Sequence, residues 1–111
     1  MKWADVVRLG KELPEVEEGI WYRTPALRVR GKSFVRLKED LQNVVFLLES
    51  VEAQELLCEA KPAVYHITDH YRGYAAVLAR LATLRAGECR ERLRESWEQK
   101  APRKLLGARG R

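Results

Sequence analysis

The chain has 111 residues, 46% hydrophobic and 33% charged, a globular balance that fits one domain and lies outside the disordered regime. Its longest apolar run, Val44–Leu48, is far too short to cross a bilayer, so no membrane association is expected. The formal net charge of +5 at pH 7 points to an acidic partner only where the cations cluster.

They do cluster. Arg23 to Lys38 holds six basic residues and no acid, and Arg80 to Arg111 holds ten basic against four acidic, whereas Leu41 to Ala79 holds two against five. The opening Met1-Lys2-Trp3-Ala4-Asp5 carries an early acid and no apolar stretch, so no export signal is expected and the chain reads as cytoplasmic. Cys58 and Cys89 are then expected to be reduced, buried and inert.

Trp3, Val6, Val7, Gly10 and Leu13 recur at helical spacing, predicting a helix over 3–13 that Pro14 stops. A strand is expected over 19–24, then Ala26–Val29, a turn at Arg30-Gly31-Lys32, and a returning strand Ser33–Leu37. Asn43–Leu48 reads as a central strand covered on both faces. Ser50 is a suitable N-cap for a helix over 51–60 that would bury Leu56, Leu57 and Ala60. The β-branched Val64, Ile67 and Thr68 predict a strand over 64–68, and 75–81 a last one. Cys89, Leu93 and Trp97, four apart, predict a final helix over 87–100. Ala101-Pro102 ends that helix, which sets a domain at 1–102 and a basic, frayed tail at 103–111. The class is α+β: an antiparallel sheet of five to six strands flanked by three helices.

In the hairpin, Leu27, Val29, Val35 and Leu37 would form the apolar face, and Arg28, Arg30, Lys32, Phe34, Arg36 and Lys38 the other. These faces match across the strands only if the loop has an odd number of residues, so a three-residue loop Val29-Arg30-Gly31 is expected, with Gly31 in the left-handed conformation. Five cations and an aromatic ring on one surface would attract phosphates and stack a base. The same pattern also describes a solvated face whose charges guard a sheet edge.

A second candidate site is His70, Tyr71 and Arg72, which together could hold an anion. His66 and His70 suggest a metal pair, but four strand steps of ~3.3 Å place them roughly 13 Å apart, so no metal site is expected. Arg80 is a possible partner for an acid such as Asp69. Ser33, Ser50 and Ser96 lack an elbow motif and no Gly-rich phosphate loop is present, so neither a catalytic centre nor a cofactor is expected.

The run Thr24-Pro25-Ala26-Leu27-Arg28-Val29-Arg30-Gly31-Lys32 resembles one block of the bacterial YjbR/MmcQ family. His70-Tyr71-Arg72-Gly73-Tyr74 with Val77-Leu78-Ala79-Arg80-Leu81 resembles a second, and Trp97 with Ala101-Pro102 a third. The leading helix ending Leu13-Pro14-Glu15-Val16-Glu17 is also similar, whereas Ala75 stands where the family usually has proline. The resemblance implies a fold compared to the double wing of phage transcription factors, and from that analogy DNA binding. On this reading Arg28, Arg30, Arg36 and Lys38 would lie against the backbone and Phe34 or Tyr71 against bases or sugar. Two other classes remain open: a protein-interaction domain using a sheet edge or the last helix, and a small-anion binder or weak enzyme at His70, Tyr71 and Arg72. The sequence does not set the oligomeric state.

Overall fold

A computed structural model of the chain describes residues 1–109. In chain order the elements are α1 (Trp3–Gly10), β1 (Val16–Trp21), β2 (Thr24–Val29), β3 (Lys32–Leu37), β4 (Asn43–Leu47), α2 (Val51–Ala60), β5 (Tyr65–His66), β6 (Ala76–Arg80), α3 (Ala86–Lys100) and α4 (Arg103–Arg109). The six strands form one sheet in the order β1-β2-β3-β4-β6-β5 with every neighbouring pair antiparallel. This is the α+β class expected. β1 and β5 are the edges, and β1 presents Glu17 and Glu18 beside Gly19 along its unpaired side.

One face of the sheet is dry. Alternation along β4 sends Val44 and Phe46, both fully buried, to the same side as Leu27, Val29 and Val77, where α1 and α3 cover them. Cys89, Leu93 and Trp97 are buried on α3 as the four-residue spacing predicts, and the Trp97 indole donates to the Pro14 carbonyl at 3.1 Å. α1 ends sooner than the spacing predicts, and its last residue, Gly10, lies so close to β2 that a Cβ would sit 2.4 Å from Leu27 Cδ1. Ser96 is also buried on α3 and donates to the Leu47 carbonyl at 2.8 Å.

The hairpins correct several expectations. β1 begins at Val16 and stops at Trp21, because Tyr22 (φ 52) and Arg23 (φ 68) form a two-residue turn that pairs Trp21 with Thr24. β2 and β3 are also joined by two residues, Arg30 (φ 51) and Gly31 (φ 80), with Val29 opposite Lys32, and not by the three-residue loop expected. Parity is restored by a β-bulge: Arg28 faces Ser33 while Leu27 faces Val35, so Phe34 is the extra residue. Phe34 and Val35 are consequently both fully buried in the core. A phenyl ring gains roughly 1.5–3 kcal/mol on leaving water, enough to favour a bulge over strict alternation.

Ser50 caps α2 as expected, accepting from the Ala53 amide at 3.1 Å. The buried residue of α2, however, is Gln54; Leu56 is 66% exposed and Leu57 only partly covered, since α2 meets the sheet at its β5–β6 end alone. β5 has just two residues, and Asp69–Tyr71 is a single 3-10 turn. Residues expected to fray instead form α4, because Leu105 inserts into the core with Leu106 packed beside it. Residues 110 and 111 of the expected tail lie outside the described residues. Cys89 is buried and Cys58 partly so, both are free thiols, and burial pushes each above its ordinary pKa, Cys89 to about 12.

Candidate functional site

The other face of the sheet carries a lateral row set by the register: Ala26 of β2, Arg36 of β3, Val45 of β4, Leu78 of β6 and His66 of β5. Val45, Ala76 and Leu78 make a small second core here, packed against Tyr71 and Leu47. In the middle of this apolar strip stands a charge. The Arg36 side chain is only 8% exposed, and every polar neighbour serves it. Nη1 donates to Glu39 Oε1 at 2.8 Å, Thr24 Oγ1 at 3.3 Å and the Leu37 carbonyl at 3.4 Å; Nη2 donates to the Tyr71 hydroxyl at 2.9 Å. The guanidinium also lies 5.3 Å from the centroid of the Tyr22 ring, a cation–π contact. Glu39 is held below the ordinary carboxylate range, first by a backbone hydrogen bond and then by Arg36.

Above Arg36 opens a cleft of about 590 Å³. Its walls are Trp21, Tyr22, Tyr71 and Tyr74, its floor Arg36 and Val45, and His70 and Glu39 stand at its margin. Tyr22 and Tyr74 are 68% and 63% exposed, so their rings are available to a ligand. Tyr22 owes its position to a left-handed backbone conformation that a bulky residue rarely adopts, a strain of the kind that collects at functional sites. The opposite wall is fixed by Gln54. Its amide nitrogen lies within hydrogen-bond distance of the Tyr71, Tyr74 and Ala76 carbonyls, at 2.9, 2.9 and 2.8 Å, and so ties the loop after β5 to α2. Nothing in the sequence singles out Gln54 except that a polar residue occupies an inward helical position, three before Leu57.

The structure thus joins two sites that the sequence suggests separately. Arg36 from the hairpin and Tyr71 and His70 from the second segment share one cleft, with the His70 ring edge-on to Tyr71 at 5.2 Å. Other predicted members are elsewhere. Phe34 is in the core and offers no surface for stacking. Arg30 forms a two-point ion pair with Glu15, and Lys38 lies 3.4 Å from Glu39. Arg28 is half-buried and runs across Gly19, where a Cβ would lie 2.4 Å from its Nε, a nitrogen with no hydrogen-bond partner. Lys32 is exposed opposite Val29 at the hairpin tip. The expected array of five cations and one ring on an open surface is therefore replaced by a dispersed set, in which Arg30, Arg36 and Lys38 are paired with carboxylates, Arg28 is half-buried, Lys32 stands at the tip and Phe34 lies in the core. Arg72 turns away to Asp69 at 2.8 Å, so Asp69 is not the partner of Arg80, which donates to the Pro62 carbonyl.

His66 and His70 do not lie on one continuous strand. His66 bonds Asn43 Oδ1 at 2.8 Å, whereas His70 belongs to the 3-10 turn. Burial, and then the nearby Arg80, hold the His66 pKa below its ordinary value. Among the described residues no group of three or more His, Cys, Asp or Glu side chains is placed to hold a metal ion.

The YjbR family profile matches residues 11–99, from the end of the α1 segment to the last turn of α3, and so includes the whole sheet and the cleft. The chain belongs to the YjbR family. Two relatives, both uncharacterized proteins, one from Mycobacterium bovis and one from Mycobacterium tuberculosis, are each 42% identical over 48 residues. The matched stretch is 43% of this chain and 37% of each relative.

Proposed function

We propose that this YjbR protein binds nucleic acid by holding an unpaired base in the aromatic cleft, with the exposed Arg23 beside Tyr22 meeting phosphate. The observation that carries the reading is a cleft lined by four aromatic rings, two of them (Tyr22 and Tyr74) open to solvent, above a guanidinium already fixed in place. Base–aromatic stacking contributes about 1–3 kcal/mol per base, and a base edge can bond to the groups around Arg36. The net charge of +5 supplies the long-range attraction. Resemblance to the double wing points the same way, although an analogy of fold does not locate the contact. Of the hairpin arginines, Arg36 supports the site from within through Glu39, while Arg30 is committed to Glu15 at the hairpin tip. A second reading, a small planar ligand, is favoured by the concave shape of the cleft.

The test is fluorescence anisotropy with single-stranded and duplex oligonucleotides of one sequence across a salt series, beside calorimetry with mononucleotides. The expected result is a preference for the single strand, weakening as salt rises, with affinity reduced about tenfold in Tyr22→Ala and Tyr74→Ala. Arg28→Ala should bind nearly as the wild type does. Equal binding of both forms, or tyrosine variants that bind unchanged, would overturn the reading. Saturable mononucleotide binding with no gain on lengthening the strand would establish the small-ligand alternative.

A further inference from the structure

A second concavity, of about 530 Å³, lies where the lead-in to α1 meets the start of β4 and the end of β6. Its charged lining is of one sign: Lys2 and Arg80, with His66 beside them and no acid among the lining residues. By contrast, Arg36 finds a carboxylate in Glu39 and Arg92 in Glu88 and Glu95. Among the described residues no carboxylate oxygen lies within 4.0 Å of the Lys2 ammonium or the Arg80 guanidinium. Arg80 is held by one bond, Nη1 to the Pro62 carbonyl at 2.9 Å, and keeps further donors in hand.

The site is also held in shape. Arg80 and Asn43 are paired across β4 and β6. The Asn43 amide donates to Asp40 at 2.8 Å, which leaves its Oδ1 to accept from His66 Nε2, also at 2.8 Å. Asp40 is thereby spent on the β3–β4 turn, where it also accepts from the Gln42 and Asn43 amides. The rest of the lining is mostly apolar, with Trp3, Leu41, Leu81, Ala82 and the Met1 side chain, beside Gln42 and the Met1 ammonium, which donates to the Leu81 carbonyl at 2.6 Å. The His66 proton is disfavoured chiefly by burial and then by Arg80, with Asp40 opposing.

From this arrangement of unneutralised donors beside an indole and two leucines, we infer that the concavity binds a small organic oxyanion, a carboxylate or phosphate monoester on an apolar body. A guanidinium meets either head group through paired N–H donors, and Trp3 and Leu41 suit the body. The inference is independent of the cleft over Arg36, because the two sites share no lining residue.

The experiment is an NMR titration of the full chain with benzoate, phenyl phosphate and inorganic phosphate, following the Trp3 indole, the Arg80 Nε–H and the His66 ring. Saturable shifts at all three reporters are expected with phenyl phosphate, benzoate or both, the tighter of the two naming the head group, and inorganic phosphate should bind more weakly than phenyl phosphate. Arg80→Gln should weaken binding by about tenfold or more, and Lys2→Gln by a few-fold. Lys2 is exposed, so the Lys2→Gln variant decides alone if Arg80→Gln fails to fold. Absence of saturable shifts with every probe, or unchanged affinity in the folded variants, would overturn the proposal.

Discussion

The two faces of the sheet solve the same problem by different means. On the α1/α3 face, burial is achieved with hydrocarbon: Leu27, Phe34, Phe46, Val77 and Trp97 exclude water without a polar group among them apart from the indole N–H, which is satisfied. On the other face, burial includes a charge. A small buried cluster of Val45, Ala76 and Leu78 lies beside Arg36, and the charge is tolerated because Glu39, Thr24, Tyr71 and Tyr22 surround it. The first face sets stability, and the second trades some of it for a concave surface with polar groups in fixed positions.

The largest effect should come from the dry face. Phe46→Ala is expected to cost about 3–5 kcal/mol in urea unfolding, because the ring is fully buried and the sheet cannot close over the cavity. On the cleft face, Gln54→Leu should cost about 1–3 kcal/mol, because it removes the buried amide that ties the 71–76 carbonyls to α2, although the Tyr71 and Tyr74 carbonyls keep their backbone donors. Hydrogen exchange should show faster opening of residues 69–76 and little change in α3. A destabilisation spread evenly through the molecule would contradict the division between the faces. Arg36→Met should cost about 1–2 kcal/mol, since the methionine keeps much of the packing but leaves the Tyr71 hydroxyl and Thr24 without a donor. A loss as large as that of Phe46→Ala would mean that Arg36 is as much a core residue as the phenyl ring.

The smallest effect concerns pH at the seam between α3 and the β5 end. Glu88 accepts from Lys61 Nζ at 2.6 Å and from the Tyr65 hydroxyl, and these bonds hold its carboxyl below the ordinary value of 4.5. Its contribution is therefore complete above pH 4.5 and is lost as pH falls through the depressed folded-state value. Urea midpoints for the wild type should fall more steeply below pH 4.5 than those of Glu88→Gln, and parallel curves would remove Glu88 from the acid response.

What could be read from the sequence was what depends on local pattern. The Ser50 cap, the Cys89–Leu93–Trp97 stripe and the continuous apolar run of β4 are set by neighbours a few residues away, and all are present. The bulge at Phe34 was not legible, since alternation predicts the opposite face and only packing against the helices decides. α4 escaped for the same reason: basic composition conceals that Leu105 has a place in the core. Of the cleft, Arg36, His70 and Tyr71 were marked as residues of interest, but their meeting depends on a sheet order that joins segments 35 positions apart. Tyr74 stands in the His70–Tyr74 block of the family resemblance, but Trp21, Tyr22 and Gln54 carry no signal of their own, because a tyrosine in a turn and a glutamine in a helix are ordinary.

The unpaired side of β1 has a further consequence, for behaviour at high concentration. An open strand edge can recruit a strand from another molecule, and repeated recruitment leads to insoluble fibres. A second copy aligned antiparallel about the Glu17–Glu18 bond would set carboxylate against carboxylate, and like charges placed opposite each other are destabilising. Glu17, with Gly19 weakening the strand nearby and Glu18 paired to Lys11 at 2.9 Å, thus makes this edge a poor template for strand addition, and the other edge is only two residues long.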